Sequence, residues 1–401
     1  MEVTHIHYPY LIIGGGMTAA AAVAGIHRRD KDSRIGLFSA DRYPPYNRPP
    51  LSKKLWLDDR LEDIWCRPAL DQWGVDEHLA TPVVELDPTA HTIRDAYGTV
   101  TGFDTLLLAT GGIPRRLPQD VHHDLIYFRS LDDYLKVYHA AKPGTQAIII
   151  GGGFIGSELA AVLSLREVAV TVVFPESHLL AAKFPRDLTK YLEQVYHQHG
   201  VTLVAERTVT GVTRSGGAVT VSLSDGTALT APLVIAGLGL EPNTTLAEAA
   251  GLAVDNGIIV DPHLETSAAG IFAAGDVASF ALPFVDHRLR VEHEDNALVQ
   301  GRLAGENMAG AAKSYGHLPF FYSDLYTMGY EAIGTIDSQL DVFADWTTFG
   351  QEGVLYYLHN RQVVGVVNWN VWDRIPQARQ LIADRTTVAQ AKDLKGRIRP
   401  D

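Results

Sequence analysis

The chain has 401 residues, 46% hydrophobic and 20% charged, with a formal net charge of −13, the balance of a globular protein of two or three domains. That charge argues against general affinity for nucleic-acid phosphate, and no apolar run approaches the roughly 18–20 residues that span a bilayer. Cys66 is the sole cysteine, which forbids an intrachain disulfide and fits a reducing compartment; Met1–Tyr10 shows no basic leader or cleavage site, so a cytoplasmic protein is expected.

Tyr10–Ile13 reads as a buried strand, and Gly14-Gly-Gly16-Met-Thr-Ala19 as a tight turn opening an alanine-rich helix. Gly14 permits the turn, Gly16 lets backbone approach a pyrophosphate, and the small Ala19 allows close helix–strand packing. The pattern recurs at Ala147–Ile150, followed by Gly151-Gly-Gly153-Phe154-Ile155-Gly156 and a helix through Ser157–Leu165. Each helix N-terminus offers N–H groups and a positive dipole end to phosphates. One such turn often serves packing alone. Two copies, each followed by a strand with a nearby acid, point to two dinucleotides. The acids are Asp41, after Ile35–Ser39, and Glu176, after Val170–Phe174, each near the spacing of a ribose-binding carboxylate. Ser177 and His178 follow Glu176 with no arginine beside it, which favours NAD(H) over NADP(H).

Further along, Phe103–Gly112 is a strand ending in the small turn at Ala109, Thr110 and Gly111, with Arg115 just beyond. Val234–Asn243 has a similar exit containing Gly239, and Ile271-Phe-Ala-Ala-Gly275-Asp276 ends a further strand. These segments, with Arg48-Pro-Pro-Leu-Ser-Lys53, Val291-Glu292-His293-Glu294-Asp295-Asn296, Phe321-Tyr322-Ser323-Asp324 and Gly365-Val-Val-Asn-Trp369-Asn370, resemble the apoptosis-inducing factor and ferredoxin reductase group over nearly the whole chain.

The resemblance implies an α/β protein with two Rossmann-like domains, one for FAD (1–115 and 240–312) and one for NAD (116–239). An α+β C-terminal domain (313–401) follows, ending in strands and a helix near Pro376–Ala383. It implies hydride transfer from NADH to FAD, with Lys53 near flavin N5 and able to pair with Glu158. Glu158 takes the nicotinamide carboxamide, and Phe154 stacks on or gates the ring. Asp276 and Gly275 hold the ribityl or pyrophosphate part of FAD, Arg48 is a candidate FAD phosphate ligand, and Arg115 is a weaker contact. Glu292 and His293 precede a helix expected over Ala297–Met308, whose positive end and imidazole would favour charge at flavin N1 and O2. Two departures stand out: Ala40 replaces the group's acidic ribose ligand, leaving Asp41 for that role, and Tyr322 replaces a tryptophan. No metal is called for.

A disulfide reductase needs a second cysteine, so Cys66 is read as a buried thiol. Three readings stay open. The first is an NADH dehydrogenase passing electrons to a quinone, oxygen or another small acceptor. The second is a ferredoxin or rubredoxin reductase. The third is an NADH-sensing protein whose reduction changes homodimerisation or partner choice.

Overall fold

A computed structural model describes residues 6–53, 55–58, 60–66, 70 and 73–398. The chain divides into two compact units, the first comprising 1–48, 60–113 and 241–319, the second 49–59, 114–240 and 320–401. The domain boundaries expected at 115/116 and 239/240 compare with crossings at 113/114 and 240/241. The Pro49–Asp59 segment, counted above with the FAD domain, belongs to the second unit, which also holds the C-terminal residues.

In the first unit, strands run in the order Val75–His78, Ile35–Phe38, Ile6–Ile13, Val100–Leu108, Thr92–Asp95 and Val83–Asp87, with Ile271–Ala273 also paired to Val100–Leu108. Ile6–Ile13 is parallel to both neighbours, with Leu11 opposite Gly36 and Leu106. Central strands of a parallel sheet are covered on both faces, which is why Leu11, Ile12, Leu106 and Leu107 are fully buried with no polar alternation. Helix Met17–His27 packs on helix Glu294–Met308 through glycines: a Cβ on Gly25 would strike the Arg302 carbonyl, and one on Gly305 the Ala22 carbonyl. The backbones therefore approach more closely than any larger residue allows.

The second unit contains a parallel sheet in the order Thr202–Val204, Ala169–Val173, Gln146–Ile150, Leu233–Ala236 and Ile126–Tyr127. A three-stranded antiparallel sheet, Val209–Ser215, Ala218–Leu223 and Ala228–Ala231, shares its core through Val212, Val219, Ile148 and Val173. The C-terminal sheet is antiparallel in the order Phe320–Leu325, Met328–Gly334, Gln362–Trp369, Glu352–His359 and Asp341–Thr348, followed by helix Ile375–Ala383. Its fully buried Tyr330 and Trp369 stack at 5.3 Å, and Phe184 meets both rings edge-on. Pro49–Asp59 joins this unit because Tyr134 donates to the Leu55 carbonyl at 3.3 Å and Arg166 to that of Trp56 at 3.3 Å.

Gly305→Ala forces its methyl into the Ala22 carbonyl, so it should lower unfolding stability by ~1–3 kcal/mol. Thermal or urea unfolding of the purified holoprotein checks this, and an unchanged midpoint would mean the helix seam has slack.

Candidate functional site

Each unit carries one glycine turn between a buried strand and a helix. In the first, Gly14 adopts φ +132° and its N–H donates to Phe38 O at 2.8 Å, which folds the chain back at the end of Ile6–Ile13. A side chain there would run into the Ala109 carbonyl. Gly16 caps helix Met17–His27, and a Cβ on it would stand 2.7 Å from Nη1 of Arg48, whose guanidinium lies over the Tyr46 ring at 5.4 Å. Ala19 is fully buried in the helix's first turns. A cation thus sits beside the helix N-terminus, where phosphate is favoured.

Gly275 adopts φ +79° and its N–H donates to Oε1 of Gln300 at 2.9 Å. Gln300 is fully buried, and its Nε2 has no hydrogen-bond partner among the described residues, so this cradle keeps a buried donor for a ligand. Arg290 donates to Asp276 O at 3.3 Å and pairs with Glu292 at 2.8 Å, bracing that turn. His293 is the N-cap of helix Glu294–Met308, which begins three residues before the expected Ala297. Thr110 Oγ1 donates to Asn243 O at 2.7 Å, and Gly111, at φ +66°, accepts from Asn243 N at 2.9 Å. Asp41 folds into its own turn: its carboxylate accepts from Tyr43 N at 3.1 Å and from the Tyr46 hydroxyl at 3.3 Å. Cys66 is half-buried and donates weakly to Asn47 Oδ1 at 3.6 Å. Burial pushes its thiol up to about 11, against the opposing pull of Arg48.

In the second unit, Gly151 at φ +115° would strike Gly237 O if it carried a side chain, and Gly156 would strike Gly151 O. Gly153, the N-cap of helix Phe154–Leu165, has nothing within 4 Å of its Cβ position. Packing does not demand glycine there, and the open space leaves room for a phosphate to approach the backbone closely. Phe154 opens the helix with its ring 5.0 Å from Phe321, and Ile155 is partly exposed. Arg115 N donates to Gly239 O at 3.0 Å and its Nε to Leu240 O at 3.2 Å, so its guanidinium serves the chain crossing.

The same helix buries Glu158 to 2% exposure beside Lys53 at 9%. Lys53 Nζ lies 2.9 Å from Glu158 Oε1 and 5.0 Å over the Tyr322 ring. Ser323 donates to Oε1 at 2.6 Å and Ser52 to Oε2 at 2.5 Å. Tyr196 and Tyr330 are held well above the usual phenol range, chiefly by burial, with the Glu158 charge adding to it. Sequence reasoning singled out Lys53, Glu158 and Tyr322 and passed over both serines. No periodicity marks a hydroxyl whose partner lies more than a hundred residues away.

Glu176 is exposed at the end of strand Ala169–Val173. The segment following strand Thr202–Val204 returns beside it: Arg207 N donates to Phe174 O at 3.1 Å and Glu206 N to Glu176 O at 3.0 Å. The Arg207 guanidinium is engaged by Asp225 at 2.7 Å. The Thr227 hydroxyl and Arg207 together hold the Asp225 carboxyl well below its ordinary range.

The family model described as pyridine nucleotide-disulphide oxidoreductase matches residues 8–301. A second, for the mitochondrion-associated C-terminal part of apoptosis-inducing factor, matches 304–352 and 344–384. The chain is 31% identical to mitochondrial apoptosis-inducing factor 1 of Dictyostelium discoideum, over 98% of this chain and 81% of that protein. It is 32% identical to peroxisomal monodehydroascorbate reductase 2 of Oryza sativa subsp. japonica, over 89% and 81%. It superposes with a TM-score of 0.88 on a chain of the covalent putidaredoxin reductase–putidaredoxin complex, at 29% identity and 96% and 95% coverage.

Two outcomes follow from this geometry. Asp225→Ala releases Arg207 beside Glu176 and should raise kcat/KM for NADPH relative to NADH about 10-fold; an unaltered ratio would show that Arg207 does not reach the 2′-phosphate. With its thiol near 11, Cys66 should react with iodoacetamide roughly 100-fold more slowly at pH 7.5 than an unperturbed thiol, and speed up only as pH approaches that value.

Proposed function

The chain belongs to the pyridine nucleotide-disulphide oxidoreductase family, and from that premise we propose that Glu158 and Lys53 are the groups that hold the nicotinamide of NADH for hydride transfer. The protein is an FAD-dependent NAD(H) oxidoreductase. Bound FAD supplies the two-electron acceptor for that hydride. The residues fit it: the Gly14–Gly16 turn with Arg48 suits the pyrophosphate, while Gly275, Asp276 and the orphan Gln300 amide suit the ribityl–phosphate part. His293, as N-cap of its helix, is proposed to favour negative charge on the reduced ring. The Gly151–Gly156 turn, Phe154 and Glu176 take NADH in the same reading, and Gly153 leaves room for its phosphates.

The observation that carries the proposal is the buried Lys53–Glu158 pair with its two seryl donors. Two charges kept out of water cost several kcal/mol each before their attraction and hydrogen bonds offset it, and a core built for stability alone has cheaper solutions. Here the carboxylate accepts and the ammonium neutralises, which orients a carboxamide without leaving net charge beside the ring.

For the acceptor, a small organic molecule such as a quinone is the first reading. A ferredoxin-type protein is the second, supported by the likeness to putidaredoxin reductase over 96% of this chain. A cytoplasmic location accords with the single cysteine.

Anaerobic NADH should bleach the flavin of the yellow protein, and Glu158→Gln should slow that bleaching about 100-fold while leaving FAD content intact. A wild-type flavin that NADH does not reduce would sink the assignment. Rapid reoxidation by a quinone favours the first acceptor, and by ferredoxin alone the second. A long-lived reduced complex with altered sedimentation would favour NADH sensing through a homodimer.

A further inference from the structure

A carboxylate offers about four acceptor positions, two on each oxygen. At Glu158 three are taken by the described residues. Lys53 Nζ (2.9 Å) and Ser323 Oγ (2.6 Å) fill Oε1, and Ser52 Oγ (2.5 Å) takes one position on Oε2. Both serines are almost fully buried, at 3% and 1% exposure, and each gives its hydroxyl proton to Glu158. They come from rigid surroundings. Ser52 ends the short turn Pro49–Ser52, held by Lys53 N on Pro50 O at 3.1 Å and by the Trp56 indole on Leu51 O at 2.6 Å. Ser323 lies mid-strand in Phe320–Leu325, in register with Tyr330.

We propose that Ser52 and Ser323 are positioning residues that fix the Glu158 carboxylate in one orientation, and that this fixed acceptor selects the carboxamide N–H of nicotinamide. The inference rests on the reading of Glu158 as the nicotinamide partner and adds to it the source of its discrimination. A fixed carboxylate acceptor rewards a ligand that brings an N–H and offers nothing to one that brings a methyl or a carbonyl. A buried polar site built around one hydrogen bond rejects the analogue lacking that bond far more strongly than an apolar pocket rejects a change in size. Without either serine, the carboxylate gains rotational freedom, so its preference for a donor in one place weakens.

The test uses the FAD-loaded full chain and compares NADH with the reduced 3-acetylpyridine analogue, in which a methyl ketone replaces the carboxamide. Single-turnover bleaching gives the limiting rate and apparent Kd for each ligand. Ser52→Ala and Ser323→Ala are each expected to cut the NADH-to-analogue preference about 10-fold and to lower the thermal midpoint, since a buried charge loses a donor, with Ser323→Thr close to wild type and flavin content unchanged. If alanine variants do not fold, Ser52→Cys and Ser323→Cys keep the volume, weaken the donor and read the same ratio. A wild-type preference in every folded variant would overturn the proposal. That outcome differs from failure of the underlying assignment, in which NADH does not bleach even the wild-type flavin.

Discussion

The arrangement of the second unit depends on the cost of burying the charges of Lys53 and Glu158. A carboxylate at 2% exposure must find its hydrogen bonds in the protein, and Glu158 draws them from three segments: the turn at Pro49–Ser52, the residue after it, and the strand Phe320–Leu325. Sequence neighbours on helix Phe154–Leu165 supply none of these three. The C-terminal sheet is thereby tied to the chemistry, since removing Ser323 from its strand would leave a buried charge short of a donor. Tyr196 and Tyr330 close the surroundings, and their hydroxyls keep their protons against both burial and the neighbouring negative charge.

The two glycine turns obey one steric rule yet sit in different electrostatic settings. Gly14 and Gly151 both face a carbonyl oxygen that any side chain would strike, so the sharp turn itself demands glycine in each copy. The third glycine behaves differently. Gly16 faces the Arg48 guanidinium, whereas Gly153 faces open space. A fixed cation beside one helix N-terminus suits a nucleotide held permanently, and a bare, open N-terminus suits one that arrives and leaves. The two turns thus share one steric requirement and differ by a single neighbouring arginine.

Local pattern made most of the framework legible. Strand ends at Ile13 and Ile150, the glycine turns and the C-terminal helix at Ile375–Ala383 follow from period, glycine and proline placement alone. The start of helix Glu294–Met308 was read late because its first turn, Glu294, Asp295 and Asn296, is polar; those acids belong there for the dipole, not for burial. What the sequence could not express was pairing over distance. Ser52 and Ser323 look like any serines until the fold brings them to Glu158. Arg207 lies some thirty residues beyond Glu176, and its backbone returns to that strand end just after Thr202–Val204, while Asp225, from the turn after Ala218–Leu223, engages its guanidinium. Asp41 has the spacing of a ribose ligand, and in the fold its carboxylate accepts within its own turn from Tyr43 N and the Tyr46 hydroxyl.

The family's name includes disulphide chemistry, and this chain has discarded it. A dithiol relay needs two sulfurs in reach and at least one thiolate, but Cys66 has no second cysteine and burial holds its thiol near 11. Electrons that leave NADH therefore have no protein-borne store after the flavin, and any acceptor must take them from the flavin itself. Two clusters stand out at particular atoms: a buried carboxylate held by two serines and a lysine, and an arginine engaged by an aspartate.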